Sequence, residues 1–521
     1  MLTHPAAPRA HNPPPTDAPH AVVIGSGFGG LAAAVRLLAR GYRVTVLERL
    51  DQPGGRARVF REGGFTFDAG PTLITAPHLF AELWTLAGRR IEDDVEIVPL
   101  SPFYDIRFDD GETFTYSGSS EAMRREVARF SPGDVAGYER FLEVSREICR
   151  VGFEELGHVP FGSLRDMLKA APDLVRLEAY RSVYGLVAKH MKDERLRTVF
   201  SFHPLLIGGN PFSTSAVYAL IHHLEKHWGV HYAKGGINRL VSGIVSLIEG
   251  LGGQLRLNAP VAEILCEGRR ACGVRLGNGE RIAADIVVSN ACSAVTHGTL
   301  VPEPLRRRWT ARKLARSRFS MGLFVWYFGT RRRYEDVRHH TILLGPRYRE
   351  LLDDIFARKR LAADMSLYLH RPSASDPSVA PDGCDAFYVL SPVPNLAGDV
   401  DWETQAEAYR QRVEARLAQT VLPGLSDEIV VSRMLTPADF ANDYASYLGA
   451  GFGLEPVMWQ SAWFRPHNRA EDVENLFIVG AGTHPGAGMP GVLSTARVLD
   501  RVVPDPRDLP RPHARASTAT S

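Results

Sequence analysis

A chain of 521 residues is too long for one compact core and predicts two or three lobes. Lys and Arg number 61 against 59 Asp and Glu, which excludes the strongly basic balance of a general nucleic-acid binder. Five cysteines without a CxxC pair exclude a disulfide framework, a zinc finger and an iron–sulfur cradle, and fit a reducing compartment. Residues 1–19, with six prolines, read as a disordered leader, and 504–521 as a disordered tail. Residues 21–24 form a short apolar strand, 25–30 a glycine turn, 31–40 a helix stopped by Gly41, and 43–48 a second strand. This βαβ unit implies a parallel sheet with a right-handed crossover. Helical periodicity dominates 121–200, in stretches over 121–130, 135–152, 165–171 and 174–192. A further helix is predicted over 237–250, then strands over 255–257 and 271–276, a hairpin turn at Asn278 and Gly279, and one strand over 282–289. Residues 320–330 and 384–393 are β-rich. The chain ends as it began, with a strand over 476–479, a glycine turn and a helix over 492–501. No run reaches the roughly 18–20 apolar residues of a spanning helix.

The turn GSGFGG at 25–30 fits GxGxxG between a strand and a helix, the context that gives the motif meaning. Gly25 allows the tight turn, Gly27 lets the backbone approach a pyrophosphate, and Gly30 lets helix and strand pack closely. The helix N-terminus then offers free N–H groups to phosphate. Glu48 ends the second strand, 23 residues after Gly25, where its carboxylate suits a ribose diol and repels a 2′-phosphate. NAD and FAD share this fingerprint. The pair Gly54 and Gly55, followed by Arg56, lets the chain pass close to a large planar ligand, with Arg56 in reach of a phosphate or a flavin edge. The same residues also make an ordinary Pro-Gly turn.

Three further segments narrow the reading: GGFTFDAGPT at 63–72, SFHPLLIGGNP at 201–211, and NLFIVGAGTHPGAGMPG at 475–491 with QSAWFRPHNR at 460–469. Together with the glycine motifs, they are similar to bacterial-type phytoene desaturases, flavoproteins of the amine-oxidase-like superfamily. The resemblance runs from about residue 22 to residue 499. It implies an α/β fold: a Rossmann-like FAD-binding domain assembled from 20–75, 235–300 and 470–503, a β-sheet substrate domain from 76–120 and 301–469, and a helical membrane-associated lobe over 121–234. It implies one FAD held by Gly25, Gly27, Phe28, Gly29, Gly30, Glu48, Arg49, Gly54, Gly55 and Arg56. Gly480, Ala481 and Gly482 would lie near the pyrophosphate, Met489 near the isoalloxazine ring, and Val261 beside the adenine. The implied activity is stepwise dehydrogenation of phytoene to neurosporene or lycopene, with oxygen or a quinone as electron acceptor. A desaturase of a related carotenoid, a redox-neutral carotenoid isomerase and a lipid carrier are the alternatives on this fold.

For catalysis the resemblance points to Arg165 and Asp166, at a helix start, with Asp166 taking or giving the proton. The same pair also reads as an ordinary ion pair at a helix N-terminus. His223 and His227 stand at i,i+4 spacing without HExxH, so a solvated or core helix face is expected and no metal. His203 and His484 adjoin glycine turns. A hydrocarbon substrate implies contact with a membrane surface. Residues such as Leu174, Val175, Leu177 and Tyr180, or the clusters Arg306 to Arg308 and Arg331 to Arg333, are the candidates. A peripheral position on the cytoplasmic face of the cell membrane follows, without a spanning helix.

Overall fold

The computed structural model describes residues 14–509. Most of the expected leader and tail therefore lies outside the described residues. Their inner edges are packed, contrary to expectation: Ala18 and Leu509 are buried, and the Tyr42 hydroxyl donates to the Pro504 carbonyl at 2.8 Å.

The first layer is a five-stranded parallel sheet. Its order is Leu476–Ile478, Ile286–Ser289, His20–Ile24, Arg43–Leu47, Gln254–Arg256. Both faces are covered, which is why these strands read as unbroken apolar runs. The helix Phe28–Ala39 crosses one face, flanked by Asn238–Gly250 and Met489–Val502, around a core that includes Leu31, Val35, Ile244 and Leu493. A three-stranded antiparallel meander, Val261–Glu267, Arg270–Leu276 and Arg281–Ala283, covers the other face through Ile264, Val274 and Leu276.

The single strand expected over 282–289 is two strands in two layers. Arg281–Ala283 closes the meander and Ile286–Ser289 enters the parallel sheet. Asp285 sits at the crossing, where its carboxylate accepts from the His20 backbone N–H at 2.8 Å. Apolar residues continue from Ile282 to Ala284 and from Ile286 to Val288, so periodicity cannot see the change of layer.

The second sheet has seven strands, in the order Ile429–Leu435, Gly322–Thr330, Asp385–Val393, Leu367–His370, His340–Leu343, Tyr104–Arg107, Thr113–Tyr116. All pairs are antiparallel except His340–Leu343 with Tyr104–Arg107. Helices over Ser120–Phe130, Val135–Cys149, Val183–His190, Glu194–Ser201 and Leu220–Trp228 cap its Tyr104 end, while Leu164–Arg176 packs on the Ala462–Phe464 turn. Their shared core includes Phe141, Val187, Leu196 and Phe200 with Ile106 and Phe114 of the sheet.

The helix boundary expected near residue 172 is absent. Leu164–Arg176 runs straight through Pro172, and the chain turns only afterwards, with Glu178 at φ 52°. A proline leaves the carbonyl four residues back without its N–H partner; here that residue is Leu168, which is exposed to water. Among the described residues, no helix is long and apolar enough to cross a membrane.

Candidate active site: a glycine cradle opening into an apolar chamber

The glycine turn forms because Gly25 takes a left-handed conformation and Gly27, Gly29 and Gly30 each meet a neighbour that a side chain would displace. Gly25 has φ +88°, and a Cβ at Gly30 would lie 2.0 Å from the Gly25 carbonyl oxygen. The helix thus seats directly on the strand end. A Cβ on Gly29 would lie 2.5 Å from Asn290 Oδ1 and 2.9 Å from the Gly480 nitrogen. The first and last glycine turns of the chain therefore touch each other. Gly480, at φ +88°, donates its N–H to Thr495 Oγ1 at 2.8 Å.

Two helix N-termini converge here, Phe28–Ala39 and Met489–Val502. Their preceding residues are Gly27 and Gly488, so neither carries a capping side chain. First-turn N–H groups left without caps, in glycine turns with no side-chain bulk, suit an anionic pyrophosphate. Glu48 is buried at the rim. Its Oε2 accepts from the Ser26 backbone N–H (2.8 Å) and hydroxyl (2.6 Å), and its Oε1 from the Leu50 N–H (3.0 Å). These donors hold the carboxylate in one position, and Val261 and Ala262 line the same cavity. Arg56 is not a free arm: it donates to Ser446 Oγ at 2.8 Å and still borders the cleft.

All of these groups border one cavity of about 820 Å³: Gly25, Gly27, Phe28, Gly29, Glu48, Arg49, Gly54, Gly55, Arg56, Val261, Gly480, Ala481, Gly482 and Met489. Gly30 stands behind it as the packing contact. The cavity continues away from the cradle into an apolar chamber walled by Phe202, Ile207, Leu224, Leu344, Leu390 and Phe440. Polar groups in that chamber are few. Thr72 Oγ1 and the Tyr368 hydroxyl lie 2.6 Å apart, and His340 Nδ1 is 2.8 Å from the same hydroxyl. His484 donates to the Leu156 carbonyl at 3.0 Å, and burial lowers its pKa to about 4, so its ring is neutral.

Arg165 and Asp166 are not brought to the cradle. Asp166 completes a capping box: its Oδ2 accepts from the Ser163 N–H (3.0 Å) and hydroxyl (2.7 Å), while its own N–H donates to Ser163 Oγ. Arg165 is exposed. Neither is among the described residues that line the cavity, although Met167 and Leu174 of the same helix are. The catalytic expectation for the pair finds no support in this placement. The helix start needed a cap, and Asp166 supplies it.

The histidine pair takes the helix-face placement expected for it. His223 and His227 stack on a partly exposed helix face, with ring centroids 5.5 Å apart. Three other histidines, His339, His340 and His370, are buried together, with ring nitrogens within 4.8 Å of one another and His339 Nε2 at 3.1 Å from His370 Nε2. They meet because their two strands pair, with His340 opposite His370; the sequence separates them by thirty residues and gives no signal.

Sequence reasoning also missed Glu225. It lies on Leu220–Trp228, fully buried, and borders the chamber. The Tyr104 hydroxyl donates to its Oε2 at 2.7 Å and lies 2.9 Å from His203 Nε2. Burial pushes the Glu225 carboxyl up to about 7 and the His203 imidazole down to about 3.

The family described as flavin containing amine oxidoreductase matches residues 28–498. A phytoene desaturase (neurosporene-forming) of Cereibacter sphaeroides is 51% identical over 497 residues, covering 94% of this chain and 96% of the relative. A phytoene desaturase (lycopene-forming) of Paracoccus sp. is 48% identical, covering 95% and 98%. An oxidoreductase from Methanosarcina mazei superposes with a TM-score of 0.60 at 19% identity, covering 92% of this chain and all of that one, and shows the fold alone. The chain belongs to the flavin-containing amine oxidoreductases and, within them, to the phytoene desaturases. It is an FAD-dependent oxidoreductase acting on CH–CH groups.

Proposed function

We propose that the protein desaturates phytoene stepwise to neurosporene, lycopene or both. The observation that carries this reading is one continuous cavity joining a pyrophosphate-sized glycine cradle to an apolar chamber. Bound FAD supplies the two-electron acceptor. The residues bordering the cradle, from Gly25 to Arg56 and from Gly480 to Met489 with Val261, hold it. The chamber walls orient the polyene and exclude water. A hydrocarbon offers no polar handle, so its binding rests on buried apolar area, at about 25 cal/mol per Å². Oxygen or a quinone is the terminal acceptor. The test is turnover: holoprotein is mixed with phytoene in liposomes, with oxygen and quinone supplied, and the pigments are separated. Coloured products with three or four added double bonds are expected; uncoloured phytoene alone refutes the reading.

The same reading makes the 121–234 lobe the membrane-facing part, and the protein peripheral on the cytoplasmic face. On Leu164–Arg176 the outer face carries Leu164, Leu168 and Val175, each more than half exposed, with Tyr180 just beyond. Arg165, Lys169 and Arg176 flank them. Trp459 and Phe464 are exposed on the neighbouring segment, whose Ala462–Phe464 turn packs on this helix. Met167, Leu174 and Met458, from the same two segments, border the cavity. An apolar patch at the cavity mouth, ringed by basic side chains, suits the headgroup boundary of a bilayer. The double substitution Leu164→Asp with Leu168→Asp is expected to cut co-sedimentation with anionic vesicles by about tenfold or more, since each leucine contributes roughly 1.5–3 kcal/mol when fully buried. Flavin content stays at the wild-type level. Undiminished sedimentation would show that another surface meets the membrane.

A further inference from the structure

We propose that Glu225 is the catalytic base that takes the proton in each desaturation. The inference rests on the desaturase reading above and assigns a residue to its proton step. The other acidic, basic and histidine side chains that border the cavity have different work. Glu48, Arg49 and Arg56 belong to the cradle. Asp443 pairs with Arg58 at 2.6 Å. His484 donates its ring N–H to a carbonyl. Asp166 caps a helix outside the lining.

Glu225 differs from all of these. It is 0% exposed, borders the apolar chamber, and holds only one oxygen in place. Oε2 accepts from Tyr104; Oε1 has no hydrogen-bond partner among the described residues. A buried carboxylate oxygen without a donor is costly, and such groups need an explanation. Within this proposal, the proton taken from the polyene fills that vacant acceptor position.

The groups that face this carboxylate are Tyr104 and Tyr116 from the sheet, His203 from the 203–207 turn, and His222 from its own helix. Burial lowers both imidazoles and raises both phenols, so all four are uncharged at neutral pH. No neighbouring cation pins the carboxylate in its charged form. Burial raises its pKa, and the Tyr104 hydrogen bond works against that rise. A base that titrates near the working pH is the efficient choice for proton abstraction.

The step balances as follows. The allylic carbon gives up a hydride, with its two electrons, to FAD. The adjacent carbon gives its proton to the Glu225 carboxylate, and the electron pair of that C–H bond becomes the new double bond. Two hydrogens leave per step, and Glu225 returns its proton to solvent before the next.

The test follows reduction of bound FAD by phytoene under anaerobic single-turnover conditions, across pH. Glu225→Gln is expected to slow reduction by about 100- to 10,000-fold, with FAD content and thermal melting unchanged. The wild-type rate falls as pH drops through about 7, where the carboxylate is protonated. That limb disappears in Glu225→Gln. In Tyr104→Phe it moves to higher pH, because the bond favouring the charged form is gone. A wild-type rate in Glu225→Gln, or the same acid limb, overturns the proposal. If Glu225→Gln loses FAD, Tyr104→Phe decides: an unmoved limb overturns it. A wild-type protein that gives no reduction in the same assay refutes the desaturase reading instead.

Discussion

Gly29→Ala is expected to give a protein that binds FAD poorly. The added methyl would sit 2.5 Å from Asn290 Oδ1, 2.9 Å from the Gly480 nitrogen and 3.0 Å from the Gly480 Cα. Two of these three neighbours are backbone, and Gly480 is fixed in turn by its bond to Thr495. Relief therefore means driving the first and last glycine turns apart, and these are the two halves of the pyrophosphate cradle. Overpacking of this kind costs about 1–3 kcal/mol. Spent on the cradle, that weakens FAD by up to about a hundredfold. The ratio of flavin to protein absorbance after gel filtration measures it. Gly133→Ala serves as the control, because its Cβ would meet nothing within 4 Å. Wild-type flavin content in Gly29→Ala would mean that the two turns tolerate separation.

The largest loss of stability is expected from Asp385→Ala. Asp385 and Arg371 are 0% and 3% exposed, the Asp at the head of the strand Asp385–Val393. The carboxylate accepts from Arg371 Nε at 2.9 Å, from Ser373 Oγ at 2.7 Å and from the Tyr334 backbone N–H at 2.7 Å. Removing it leaves a guanidinium buried without its counter-charge and a backbone donor without an acceptor. Such a loss costs about 3–5 kcal/mol. Glu280→Ala breaks an Arg256 pair of similar length in which both side chains are 40% exposed, and should cost only about 0–1 kcal/mol. Paired denaturant titrations separate the two. Equal midpoints would show that the buried carboxylate and its hydrogen bonds add no more stability than the exposed pair.

The cradle is legible in the sequence because local geometry dictates its residues. Gly25 needs a positive φ, Gly30 needs to lack a Cβ, and each requirement is met within six positions of chain. The paired turn at 480–482 is legible for the same reason. Glu225 is not, because its burial depends on Tyr104 and His203, 121 and 22 residues away. In the chain it is a glutamate before Lys226, which reads as a solvated face. His222 likewise reads as one of a histidine run, whereas the fold buries it between the Tyr116 hydroxyl and the Phe200 carbonyl. Asp166 shows the converse: its capping box is local and readable from Ser163, three residues before it.

The interleaving of the parallel sheet sets the order of events during synthesis. The strand His20–Ile24 stands at its centre, yet Ile286–Ser289 must arrive on one side before Leu476–Ile478 can complete that edge. At roughly 5–20 residues per second, the interval between translation of Gly29 and of Gly480 is about 20 to 90 seconds. Throughout it, the Phe28–Ala39 helix lacks its Met489–Val502 neighbour, and apolar side chains such as Leu31 and Val35 lie open. Until the chain reaches Gly482, the cradle has only its first glycine turn. A ribosome that stalls before Leu476 releases a colourless chain with half a cradle.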